Sequence, residues 1–289
     1  MTGSIVLRRS LLMVSALRPE DFHAAVAAGP DMVCADLEDG TAVGRKAEAR
    51  DAVFDLFREK RSTDQTAQRL LRINSPRAAE GMRDLLAIVD AQAPPDGVIL
   101  PKVSGPDEVA LVAGILRPDH PAVDIIALIE DPTGLRQVDA IAAAAPELKC
   151  LFFGSADYSA AIGSDMSWDA LLYARSHIVN AAKEAGIDAM DGAWFDPHDD
   201  EGFREELRRV VAMGFTGKVS YEAQHVPHIH TALAPSPEAV EQARRVVATA
   251  EADTIGIARL DGRMVNESIV RSARRVLATA EHAATAETG

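Results

Sequence analysis

DIIALIED (residues 124–131) and KCLFFGSADYS (residues 149–159) are short apolar runs that end abruptly in acids. A run of about four to eight apolar residues bounded by polar ones has the length of a buried strand. Working outward, the pattern recurs in SLLMVSA (10–16), DMVCADLED (31–39), QRLLRIN (68–74), DGVILPKV (96–103), AGIDAMDGAW (185–194) and TGKVSYEA (216–223). Asp36, Glu38, Arg72, Lys102, Glu130, Asp157 and Asp191 all fall at the ends of such runs. Buried strands end in solvated loops, so charges gathered there share one rim. In a barrel of parallel strands that rim binds substrate.

The segments between the runs read as helices. RPEDFHAAVAAG places Pro19 in a first turn and Gly29 at a C-terminal stop. Residues 45–60, 77–92, 135–145, 168–185 and 200–213 and the stretch PDEVALVAGILRPD repeat the amphipathic pattern. Eight strand-type runs at a spacing of roughly thirty residues match the size of a βα unit. The expected fold is α/β: a (β/α)8 TIM barrel over residues 1–232, followed by a C-terminal helical extension or lid over residues 233–289. A doubly wound open sheet is the alternative, since it too gathers polar residues at strand ends.

Composition agrees. Of 289 residues 47% are apolar but only 4% aromatic, so aliphatic side chains must pack the core, as in parallel sheets covered on both faces. A net charge of −14 argues against nucleic-acid and anionic-membrane partners. No run is long enough to span a bilayer and no leader pattern is present, which reads as a cytoplasmic protein. Cys34 and Cys150 lie inside strand-like runs and read as buried thiols.

Glu130 and Asp157 form the leading pair. Two carboxylates at neighbouring strand ends, completed by water and substrate oxygens, suit Mg2+, a hard cation that keeps open positions; helix caps or ion-pair partners are the competing reading. Arg72 is either a fork for a carboxylate or an internal partner of Glu38 or Glu130. Among Asp36, Glu38 and Asp39 at least one acid should face the mouth and hold Arg72 or a metal-bound water. Lys102 is placed to neutralise these acids. His225, His228 and His230 resemble a Zn2+ set, but Pro227 interrupts a helical face and no acid or thiol completes it, so solvated loop histidines are expected. No glycine-rich phosphate loop or nucleophile elbow is present.

RRSLLMVSALRPEDFHAAVAAGPDMVCADLEDGTAVGRKAEAR resembles the opening of the citrate lyase β-subunit-like family, which includes malyl-CoA and citramalyl-CoA lyases. The likeness continues in order through LRINSP, VILPKV, ALIEDPTGL, LFFGSADYSAAIG and the LDGRMV turn. It implies a barrel with a C-terminal extension, assembled as a homotrimer or hexamer. It implies Mg2+ on Glu130 and Asp157, a keto-acid carboxylate on Arg72, and Arg45 and Lys46 near the phosphates of coenzyme A. The implied reaction is carbon–carbon cleavage of a 3-hydroxyacyl-CoA thioester into a keto acid and acetyl-CoA. A malyl-CoA thioesterase and a non-catalytic keto-acid-binding relative are the alternatives.

Two departures stand out. Many relatives carry an aspartate after the DGRMV-type turn, where this chain has Asn266 followed by Glu267; an amide cannot exchange a proton at neutral pH. After the eighth run, relatives read an Ile-His-Pro-type segment and this chain reads Ser220-Tyr221-Glu222-Ala223. That segment lies near the pantetheine path in such barrels.

Overall fold

The computed structural model describes residues 6–61, 66–252 and 258–286. Each of the eight apolar runs forms a strand: β1 Ser10–Ser15, β2 Met32–Asp36, β3 Gln68–Arg72, β4 Gly97–Leu100, β5 Asp124–Ile129, β6 Leu148–Phe153, β7 Asp188–Asp191 and β8 Gly217–Ser220. They close in sequence order into a parallel barrel, with β1 also pairing with β8. The closed barrel decides against the open doubly wound sheet.

Between the strands lie α1 Pro19–Ala27, α2 Lys46–Arg58, α3 Ala79–Val89, α4 Pro106–Leu116, α5 Pro132–Arg136, α6 Val138–Ala142, α7 Ser155–Ile162, α8 Trp168–Ala185 and α9 Asp200–Met213, with α10 His225–Leu233 after β8. The helix expected over residues 135–145 is two short helices, parted at Gln137, whose backbone leaves the α region. α10 falls where a histidine-bearing loop was expected. Its Pro227 lies in the first turn, where a missing N–H removes no helical hydrogen bond.

Strand alternation sorts the core into two layers. Leu11, Met32, Cys34, Leu70, Ile126, Leu128, Phe152 and Val219 belong to a cluster that fills the barrel interior. Val33, Leu71, Val98 and Leu151 belong to the larger cluster that packs the strands against the helices. Cys34 and Cys150 are free and fully buried, and burial pushes both thiols far above their usual range.

Compactness divides the chain into two units, one of residues Arg8–His230 and one containing the described residues from Thr231 onward. The second contains α11 Pro237–Ala252, a hairpin of β9 Ala258–Leu260 and β10 Arg263–Val265, and α12 Glu267–Ala286. Ala243, Val246, Ala258, Val265 and Ala273 form its small apolar core. Among the described residues no helix is long and apolar enough to cross a membrane.

Candidate active site

The period of two that points Cys34, Leu70 and Leu128 into the barrel also points Asp36, Arg72 and Glu130 inward, two residues further along the same chain at the C-terminal mouth. Asp36 holds Arg72 from below. Arg72 Nε donates to Asp36 Oδ1 at 2.7 Å and Nη2 donates to Oδ2 at 2.5 Å. Asp36 is itself fixed by the backbone amides of Glu38 (2.8 Å) and Gly40 (2.7 Å). The Nη1 end of Arg72 faces Glu38 Oε2 at 3.3 Å. Burial works against the guanidinium charge, but the hydrogen bonds and charge of Asp36 outweigh it and raise Arg72 above its usual value. The fork is therefore charged and rigid, with one edge already occupied by Asp36.

Glu130 is the most deeply buried acid lining the mouth, 3% exposed. Its Oε2 accepts the backbone N–H of Lys102 at 2.9 Å. Lys102 turns that N–H toward it from the left-handed region (φ 53°), which non-glycine residues seldom occupy. The Lys102 ammonium pairs with Glu38 and lies 3.4 Å from Asp39 Oδ2. The neighbouring Asp131 is the helix cap: its Oδ1 accepts the amides of Thr133 (2.7 Å) and Gly134 (2.8 Å) at the start of α5. Adjacent acids in DIIALIED thus divide the work, one capping and one facing the mouth. Asp157 lies in the first turn of α7 rather than at a strand end, near the positive end of the helix dipole.

Arg72, Glu130 and Asp157 line one pocket, together with Ser155, Phe195 and Tyr221. This open pocket has a volume of about 50 Å3. Burial, then the charges of Asp157 and Glu38, push the Glu130 carboxyl up to about 8. Crowded negative charge of this kind is what a divalent cation relieves. Among the described residues no group of three or more His, Cys, Asp or Glu side chains is arranged around a single metal position. The donor set is thus two carboxylates with the remaining positions open, which fits Mg2+ better than a structural Zn2+.

Other residues have different surroundings. Lys46 is buried, and its ammonium donates to the carbonyls of Leu37 (2.7 Å) and Glu38 (2.6 Å), so it fastens the loop that carries Glu38. Arg45 is exposed and pairs in bidentate fashion with Glu48. Asn266 accepts the Ile269 amide at 3.0 Å and caps α12. Asp191 points away from the mouth, between the barrel and its helices, where it binds Arg175 (2.8 Å) and Lys218 (2.9 Å). The histidines are dispersed. His225 is buried against Phe203 and bonded to Ser220 (2.8 Å), His228 lies against Arg204, and His230 bonds Ser10 (2.7 Å). Phe195 was missed because it follows β7 in an irregular loop; an aromatic placed just beyond a strand end was its only signal.

The profile of the HpcH/HpaI aldolase/citrate lyase family matches residues 9–223. The chain is 31% identical over 286 residues to citrate lyase subunit beta of Escherichia coli, covering 95% of this chain and 93% of that protein. It is 27% identical over 300 residues to mitochondrial citramalyl-CoA lyase of Rattus norvegicus, covering 95% of this chain and 86% of that one. The solved structure of CitE from Mycobacterium tuberculosis with magnesium, acetoacetate and coenzyme A superposes with a TM-score of 0.77. The two chains are 32% identical, with 95% of this chain and 98% of that one covered. The chain belongs to the HpcH/HpaI aldolase/citrate lyase family. It is an enzyme of the lyase class.

Proposed function

We propose that this chain cleaves a 3-hydroxyacyl-CoA thioester of the malyl-CoA, citramalyl-CoA or citryl-CoA kind, with Mg2+, into a keto acid and acetyl-CoA. The observation that carries the reading is the convergence of Glu130, Asp157 and a charged, braced Arg72 on one pocket at the barrel mouth. The CitE relative solved with magnesium, acetoacetate and coenzyme A supports the same assignment.

Glu130 and Asp157 would hold the cation. When bound, Mg2+ supplies a Lewis acid for the oxygens of the keto-acid half. Arg72 presents its remaining N–H groups to the carboxylate or to the oxygen where negative charge develops, a preorganised donor in a water-poor site. Asp36 and Glu38 act through Arg72: they hold the guanidinium in place and keep it charged. Lys102 orients Glu130 through its backbone and ties down Glu38 through its ammonium. Arg45, exposed, remains the candidate for the coenzyme A phosphates, whereas the ammonium of Lys46 is taken up by the loop. A cytoplasmic homo-oligomer is part of the same proposal.

The test is calorimetric titration of glyoxylate and pyruvate into the protein, with Mg2+ and then with a chelator, each with and without acetyl-CoA. Metal-dependent binding that tightens with acetyl-CoA supports the lyase. Keto-acid binding that survives the chelator rejects the metal site, and binding indifferent to acetyl-CoA removes coenzyme A from the reading.

A further inference from the structure

Phe195 and Tyr221 meet at the mouth. Their ring centroids are 6.0 Å apart with planes at 42°, and about half of each side chain is exposed, 51% and 52%. Large aromatic surface left uncovered beside a pocket is surface that a ligand can bury. Tyr221 follows β8 directly and Phe195 follows β7, so neighbouring strand ends deliver both rings. Leu128, Phe152, Ala193 and Val219 line the same pocket and give it apolar walls. Among the described residues that line it, Arg72 is the only cation, and Asp36 and Glu38 already face it.

We infer that Phe195 and Tyr221 form the wall that selects the 2-oxo acid, admitting hydrogen or a short alkyl group on the carbonyl carbon and rejecting a second carboxylate. The inference rests on the lyase reading above and narrows it, toward glyoxylate- and pyruvate-like products and away from oxaloacetate. A terminal carboxylate pressed against these rings would lose its hydration and find no cation, whereas a methyl group in the same place covers apolar surface.

The test compares 2-oxobutyrate with freshly dissolved oxaloacetate, which have the same chain length and differ in a terminal methyl or carboxylate. Binding to the wild-type protein is measured by calorimetry with Mg2+ present. The expected result is at least about tenfold tighter binding of 2-oxobutyrate. Phe195→Lys, which adds a cation at the rim, is expected to shrink that preference or reverse it. Equal or tighter binding of oxaloacetate by the wild type, with Mg2+ dependence intact, overturns the wall and leaves the lyase reading standing. An unchanged preference in Phe195→Lys also overturns it. Binding of neither acid overturns both.

Discussion

Arg72→Lys keeps a positive charge and loses the planar fork that Asp36 grips at both oxygens. We expect kcat/KM for carbon–carbon cleavage of the proposed acyl-CoA substrate to fall by about ten- to a hundredfold, with little change in thermal midpoint; unchanged steady-state kinetics would remove Arg72 from the site. Gly154→Ala tests Glu130 from behind. A Cβ at Gly154 would sit 2.4 Å from Glu130 Cγ, so the carboxylate must swing away. Metal-dependent keto-acid binding should weaken by at least about tenfold while the protein stays folded, at a cost of about 1–3 kcal/mol read from urea unfolding. At this scale the sequence was most legible where a residue followed the strand period: Asp36, Arg72 and Glu130 continue the inward faces of Cys34, Leu70 and Leu128. It was least legible where a side chain turns back on its own loop. Lys46 has the charge of a phosphate ligand, but its ammonium reaches two carbonyls instead, which neither charge nor spacing reveals.

Among the elements, the eight strands were readable because buried parallel strands carry unbroken apolar runs, and a closed barrel requires all eight. Caps were harder, since an acid before a helix and an acid at a mouth look alike in sequence. Asp131 and Asp157 show this: Asp131 caps α5, whereas Asp157 lines the mouth from inside the first turn of α7 rather than from the end of β6. Asp131→Ala should therefore cost about 1 kcal/mol, seen as a lower urea midpoint at unchanged slope. Equal midpoints would show that the two amides find other partners. The α10 histidines read as a loop from Pro227 alone, but a proline in the first turn is compatible with a helix.

For the whole molecule, stability in acid depends on the buried network that joins β7, β8, α8 and α9. Asp191 and Lys218 are fully buried, and Glu206 binds Lys218 at 2.7 Å. Burial alone would raise the Asp191 carboxyl, but Lys218 and Arg175 outweigh it and hold it below its ordinary value of 3.8. A depressed carboxyl stabilises the fold fully above the unfolded value, and that contribution disappears as pH falls through the folded one. Asp191→Asn should thus cost about 3–5 kcal/mol, constant from about pH 5 to about pH 8. The gap to wild type should narrow only below 3.8. Urea unfolding across that range checks it; a gap that closes already near neutrality would mean another group carries the dependence. The sequence placed Asp191 with the rim acids, and the strand period alone shows why it is not one: Met190 faces the interior, so Asp191 faces the helices.

The two cysteines have a practical consequence. They are the only thiols in the chain, both are fully buried, and both are held far from the reactive thiolate form. A colorimetric disulfide reagent added to the folded enzyme therefore has no background signal from the protein itself. Cleavage of the carbon–carbon bond leaves coenzyme A acylated and the reagent colourless, whereas hydrolysis of the thioester frees its sulfur and develops colour. With a hydrazine to trap the keto acid in a parallel cuvette, one substrate preparation tells a lyase from a thioesterase by which of the two dyes appears.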